Sequence, residues 1–224
     1  MLLNATSFLL VQRYVMAKNQ IEEKERLLNM KKFDLEKKRN GYLAGVDEAG
    51  RGPLAGPVFA AAVILPDDLI IDGINDSKKL SEKKREALYD VICSEAIAYS
   101  VFSVDEKRID EINILKATFE AMRGAVRGLS VHADFVLVDG DKSPGLDVEC
   151  ETVVKGDSKS MSVAAASILA KVERDRYIVK MSELYPGYGF EKHKGYGTRS
   201  HYEALERLGI CPIHRKTFLR KLIK

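Results

Sequence analysis

The stretch that most constrains the fold is Gly45–Pro57, Gly-Val-Asp-Glu-Ala-Gly-Arg-Gly-Pro-Leu-Ala-Gly-Pro, where two adjacent carboxylates abut a turn dense in glycine and proline. An apolar approach, Tyr42-Leu43-Ala44-Gly45-Val46, precedes it, and the run Val58–Leu65 after it is long enough for a buried strand. The pattern predicts two strands joined by that turn, with Asp47 and Glu48 at the end of the first. Neighbouring side chains on a strand point to opposite faces, so both acids can serve one site only where the pleat gives way. Gly50 and Gly52 are read as that break. Lacking Cβ, they also let the main chain approach a ligand and present its N–H groups, with the Arg51 guanidinium between them. A solvated hairpin loop is the simpler alternative; four glycines and two prolines around one acid pair favour a site.

The same logic recurs downstream. Ala133–Val138 reads as a buried strand ending at Asp139-Gly140, and a strand over 148–154 leads to Lys155-Gly156-Asp157. Asp157 precedes a long helix predicted from Ser160 to about Leu184, where a single Asp is usually a cap. Acids at several strand ends of one sheet can converge on the edge where open α/β folds bind ligands. Asp47, Glu48, Asp139 and Asp157, without a histidine or cysteine nucleophile, point to hard oxygen-ligated cations, Mg²⁺ or Mn²⁺. Two such ions suit an in-line displacement on phosphorus that needs no covalent intermediate.

Elsewhere the chain reads as scaffold with basic accents. Ser77, Lys78 and Lys79 stand just before a helix capped by Ser81, where a phosphate could meet them, although a Lys-Lys pair is more often only solvated surface. A half-buried strand over 98–104 is followed by Asp105 as a cap, then one helix whose core stripe runs from Ile109 to Leu129. In the long helix Val163, Ala164, Ala166, Ala170 and Ile178 face inward, and Lys171, Glu173, Arg174 and Arg176 largely outward. The loop Lys192–Thr198 mixes bases with Tyr196 between glycines, a combination suited to a nucleic-acid backbone and sugar. From Glu191 onward nine bases face three acids, the strongest polyanion signal in the chain. Cys211 and His214 lack a matching ligand pair and are read as incidental rather than as a zinc site. Residues 1–40 carry nine bases and five acids with no Gly or Pro. They are read as one or two solvated helices, with a basic arm for a polyanion as the alternative.

At 224 residues and a net charge of +3, the chain suits one domain that permits nucleic acid as a partner without demanding it. No stretch approaches the roughly 20 apolar residues of a membrane helix. Three cysteines without a Cys-x-x-Cys pair, and no basic region before Phe8-Leu9-Leu10-Val11, fit a cytoplasmic chain without a signal peptide.

The motifs carry a resemblance. Gly45–Pro57, Asp76-Ser77-Lys78-Lys79-Leu80, Asp139-Gly140, Lys155-Gly156-Asp157, Ser162–Val172, Gly195-Tyr196-Gly197-Thr198 and His214-Arg215-Lys216-Thr217-Phe218 resemble, in order, those of type 2 ribonuclease H. The resemblance implies an α/β ribonuclease H-like fold: a mixed five-stranded sheet flanked by helices, with a helical N-terminal extension and a small helical C-terminal region. Three segments are expected: a basic extension over 1–40, a catalytic domain over 41–190, and a basic helical region over 191–224 completing the substrate site. The implied activity is cleavage of RNA in RNA–DNA hybrids and incision 5′ to single ribonucleotides in duplex DNA; the acids themselves suggest two Mg²⁺ or Mn²⁺ ions, and a monomer is the default. By resemblance Asp47, Glu48, Asp139 and Asp157 hold metal, Gly50, Arg51 and Gly52 read the ribose 2′-hydroxyl, and Tyr196 stacks on the sugar. Arg51 and the short arm favour type 2 over type 3 enzymes, and Phe218–Lys224 shows no convincing clamp-binding pattern. A related DNA nuclease or resolvase, and a hybrid-binding protein with a lapsed site, are the alternatives.

Overall fold

The small-residue run Val163-Ala164-Ala165-Ala166-Ser167-Ile168-Leu169-Ala170 lies buried on every side, and the rest of the fold wraps that helix. The computed structural model describes residues 5–220, with side chains from residue 18 onward; the side chains of Phe8–Val11 and Arg13 and the tail 221–224 fall outside that description. The buried helix is α5 (Met161–Leu184), and Ser160 caps it by accepting the Val163 N–H. Its small side chains let it dock on the centre of a five-stranded sheet.

The sheet order is β3-β2-β1-β4-β5. Strands β1 (Leu43–Ala49), β2 (Val58–Ile64) and β3 (Ala98–Val104) form an antiparallel meander, while β4 (Phe135–Asp139) and β5 (Cys150–Val153) add in parallel beyond β1. Both faces are covered, which is why β2 is apolar throughout. One face carries α5 with α2 (Glu82–Glu95) around Ala61, Val63, Leu88 and Ile168, and the other packs Val46, Ala60, Ala62 and Val136 against Ala117, Ala121 and Met122.

That second cover is two helices, α3 (Glu106–Ile112) and α4 (Ile114–Arg127), rather than the single helix the apolar stripe predicts. Asn113 breaks it. At φ 71° it ends α3, and its side chain caps α4 by accepting the Leu115 and Lys116 N–H groups. The predicted caps Ser81 and Asp105 each accept their helix's N3 amide, Lys84 and Arg108.

The N-terminal segment is one helix, α1 (Ala5–Lys37), whose last turns place Leu27 and Met30 in the α5-side core. At the other end α6 (Phe190–His193) and α7 (Arg199–Leu208) pack Phe190, Leu205 and Ile213 against Leu54 and Ile178. This cluster braces the β1–β2 turn through hydrogen bonds from Leu54 N–H to Gly195 O and from Gly56 N–H to Ile213 O, both 2.8 Å.

Candidate active site

The carboxylates gather where the pairing of β1 with β4 ends. In their parallel register Val46 lies beside Val138, so Asp47 and Asp139 follow at the same level. Asp47 shares a strand face with Gly45, whose missing Cβ lets the backbone of Ser162 and Val163 close in. It therefore points at α5, buried, with Ser167 as a side-chain partner. Asp139 accepts the Gly156 N–H at 2.6 Å, which binds the β4 end to the 3₁₀ turn Gly156–Ser158 carrying Asp157.

One local expectation is corrected. β1 does not end at the acids but stays paired with β2 through Ala49, because Ala60 and Phe59 continue the ladder opposite Glu48 and Ala49. The pleat thus separates Asp47 and Glu48 between faces. Crowding at the sheet's rim still couples them: the Glu48 N–H donates to Asp47 Oδ1 at 2.6 Å, and Glu48 meets Arg51 Nη1 at 3.3 Å. The glycine turn follows, with Gly50 at φ +97° and Gly56 at φ +86°. Gly52 keeps an ordinary backbone conformation, and a Cβ there would meet only Tyr196 Cε1, at 3.7 Å.

Electrostatics mark the same place. Burial, then Glu48 and Asp139, raise the Asp47 carboxyl well above its ordinary range. Burial likewise raises Glu48, against the pull of Arg51. Asp157 is pushed up to about 6 by burial, then by Asp76 and Asp139. Such crowding of oxygen donors calls for a cation, and no histidine or cysteine contributes to any of these shifts. Among the described residues no three acid, histidine or cysteine side chains close tightly enough to enclose an ion unaided. A cation here would draw ligands from beyond the chain as well.

The remaining candidates divide. Lys78 is exposed and near enough to lower Glu48 and Asp157. Ser77 is buried, its hydroxyl 2.9 Å from Ser167 Oγ, so it supports the helix that faces Asp47. Tyr196 is exposed beside Gly52, with Arg174 5.3 Å behind its ring centre.

Three residues were not legible as part of this site. Asp76 stands against Asp157, but it follows no strand, so a search for acids at strand ends passes over it. Arg174 is fully buried, contrary to the outward face expected for it, because α6 and the loop after it cover that side of α5. Arg215 counts toward the basic tail by composition yet is also fully buried, bonded to the carbonyls of Gly50, Arg51 and Gly56. Cys211 and His214 form a local cluster with His201.

A mixed five-stranded sheet covered by helices, with Asp47 and Asp139 level on adjacent parallel strands, is the architecture of the ribonuclease H-like class. The family model for ribonuclease HII matches residues 44–221. Ribonuclease HII of Caldicellulosiruptor bescii is 57% identical over 195 residues, covering 85% of this chain and 95% of that one; the protein of that name from Acetivibrio thermocellus is 52% identical over 217 residues, covering 96% and 85%. The crystal structure of ribonuclease H2 from Pyrococcus horikoshii superposes with a TM-score of 0.67 at 32% identity, covering 79% of this chain and 93% of that one. The chain belongs to the ribonuclease HII family, metal-dependent endonucleases that degrade the RNA of RNA–DNA hybrids. No helix among the described residues is long and apolar enough to cross a membrane.

Proposed function

We propose that this chain, acting as a cytoplasmic monomer, incises duplex DNA 5′ to a single ribonucleotide as well as cutting RNA in hybrids, leaving 3′-hydroxyl and 5′-phosphate ends. The observation that carries this reading is the juxtaposition of crowded acids with a turn and a tyrosine shaped for one sugar. Asp47 and Asp139 lie level on adjacent strands, and Gly52 stands 3.7 Å from Tyr196 by its virtual Cβ.

Asp47, Glu48, Asp139 and Asp157 would hold two Mg²⁺ or Mn²⁺ ions. When bound, these supply positive charge at the attacking and leaving oxygens and lower the pKa of water. The chain's own part is to hold and discriminate. Ser167 and the Glu48 N–H fix the Asp47 carboxylate, and the Gly156 N–H fixes Asp139. Lys78, exposed at the rim, steers a phosphate toward the acids. The Arg51 and Gly52 amides meet the 2′-hydroxyl, the group that separates RNA from DNA, while Tyr196 packs on the sugar carrying it.

The test is cleavage of an end-labelled DNA duplex holding one ribonucleotide, with Mg²⁺, with Mn²⁺ and with chelator, beside an all-DNA duplex. A metal-dependent cut 5′ to the ribonucleotide alone is the expected result. Cutting of the all-DNA duplex would transfer the chain to the DNA nucleases.

A further inference from the structure

Two arginines, Arg174 and Arg215, are the largest side chains with no exposed surface among the described residues, and both contact the glycine turn or the loop bearing Tyr196. Neither can reach a phosphate. Arg215 places its whole fork on one turn: Nη2 donates to Gly50 O at 2.6 Å, Nη1 to Arg51 O at 3.0 Å, and Nε to Gly56 O at 2.8 Å.

The geometry of the peptide unit turns this into a statement about recognition. Every peptide bond among the described residues is trans, so each N–H points opposite the carbonyl of the same unit. With the Gly50 and Arg51 carbonyls drawn inward to Arg215, the Arg51 and Gly52 amides are driven outward. Arg51 and Gly52 are exposed, and among the described residues neither amide has an acceptor. Tyr196 borders the same exposed turn, its Cε1 3.7 Å from where a Cβ on Gly52 would stand. The opposite wall is tied in the same way, because Arg174 donates to Lys194 O and lies behind the Tyr196 ring, and Leu54 N–H bonds Gly195 O at 2.8 Å.

We propose that Arg215 is a positioning residue for ribose discrimination, aiming two consecutive amides at the 2′-hydroxyl. This rests on the reading of the site given above. Arg215 meets the three carbonyls from three separate nitrogens held in one plane, whereas a lysine ammonium at the same position keeps the charge but gathers its donors on one nitrogen and loses the fork.

The experiment compares wild type with Arg215→Lys on two quantities: kcat/KM for a duplex with one ribonucleotide, and the inhibition constant of an all-DNA duplex as competitor. The expected result is a fall of about tenfold or more in kcat/KM with a competitor constant unchanged within about twofold, because backbone contacts do not depend on the amides. Equal changes in both, or no change in either, overturn the proposal. Should Arg215→Lys not fold, amide hydrogen exchange in the wild-type protein decides. Arg51 and Gly52 amides should exchange fast in the free protein and slow when the ribonucleotide duplex binds under chelation, but not with all-DNA duplex. Slow exchange in the free protein, or equal protection by both duplexes, refutes the outward aim. Wild type that leaves the ribonucleotide duplex uncut refutes the reading of the site itself; wild type that cuts, beside a variant whose two constants move together, refutes this inference alone.

Discussion

Gly45→Ala tests the closest approach of a glycine to another backbone among the described residues. Gly45 lies inside β1 with ordinary backbone torsions, so its freedom to turn is irrelevant; what matters is the space a Cβ would take. A Cβ there would stand 2.1 Å from Ser162 C, 2.3 Å from Val163 N and 2.5 Å from Ser162 O. All three are backbone atoms of the first turn of α5, and none can rotate aside. Reaching ordinary contact near 3.4 Å requires α5 to move off β1 by about 1.3 Å. Overpacking of this kind costs about 3 kcal/mol, the upper part of the usual range. For a chain of this size that lowers Tm by about 6–12 °C. The shift also separates Asp157, just before α5, from Asp47 on β1, and a displacement of about 1 Å costs about a hundredfold in rate. Calorimetry and single-turnover cleavage at saturating Mg²⁺ read the two effects. Gly145→Ala is the control: its Cβ would meet nothing within 4 Å, and its φ of +69° costs about 1 kcal/mol. A Gly45→Ala protein with wild-type Tm and rate would refute the claim that β1 and α5 touch backbone to backbone.

Asp47→Asn should abolish cleavage while leaving Tm and hybrid binding largely intact; retained cleavage near the wild-type rate would remove it from the proposed metal set. Gly52→Ala should fold normally, since neither its torsions nor its surroundings demand glycine, yet lose cleavage at an isolated ribonucleotide because the methyl enters the gap beside Tyr196; undiminished cutting would mean the sugar does not enter there. Stability should fall as pH drops from about 6.5 toward 4, because burial first, then His201, hold buried His214 down at about 4, so in that window the unfolded chain takes up a proton the native one refuses. The contribution is about 3 kcal/mol at most, present above pH 6.5, and is read as the difference in urea midpoint slope between wild type and His214→Gln; parallel slopes would refute it. Removal of residues 1–39 should lower Tm sharply while leaving the salt dependence of duplex binding unchanged; a shallower salt slope would make the arm a nucleic-acid contact.

Much of the sheet was legible because its signals are local. Ser81 and Asp105 act as the caps read from the sequence, and the buried run of β2 announces itself by composition. What escaped was the destination of charge. A basic residue in sequence is the same symbol whether it faces a phosphate or a ring of carbonyls. Arg174 and Arg215 differ from Arg199 in that another segment packs over them, and the contacts of Arg215 lie 159 to 165 residues earlier in the chain. Asp76 was missed for the same reason, since its meeting with Asp157 depends on how a loop crosses the sheet's edge. Composition around Gly45–Pro57 likewise hid a division of labour. Gly50 and Gly56 serve positive φ, Gly45 serves close packing, and Gly52 is bound by neither.

The N-terminal helix likewise spends its charge within the fold. Six of its region's bases already face carboxylates: Lys18 with Glu22, Arg26 with Glu23, Lys32 with Glu36, Lys37 with Glu151, Lys38 with Asp67 and Arg39 with Glu149. Lys31 is buried against Pro66 O. Little free positive charge remains on the described part of the arm to draw a polyanion. Its buried acid does more. Asp34 Oδ2 accepts both the Ser162 N–H and the Ser162 hydroxyl at 2.9 Å, placing a carboxylate at the positive end of α5. Ser162 is the residue that Gly45 admits from the other side. The first turn of α5 is thus held between a missing methyl on β1 and a carboxylate on α1, four residues beyond Asp157 by way of its Ser160 cap. Removal of the arm is therefore expected to act on the acid cluster through stability and position rather than through attraction for the duplex.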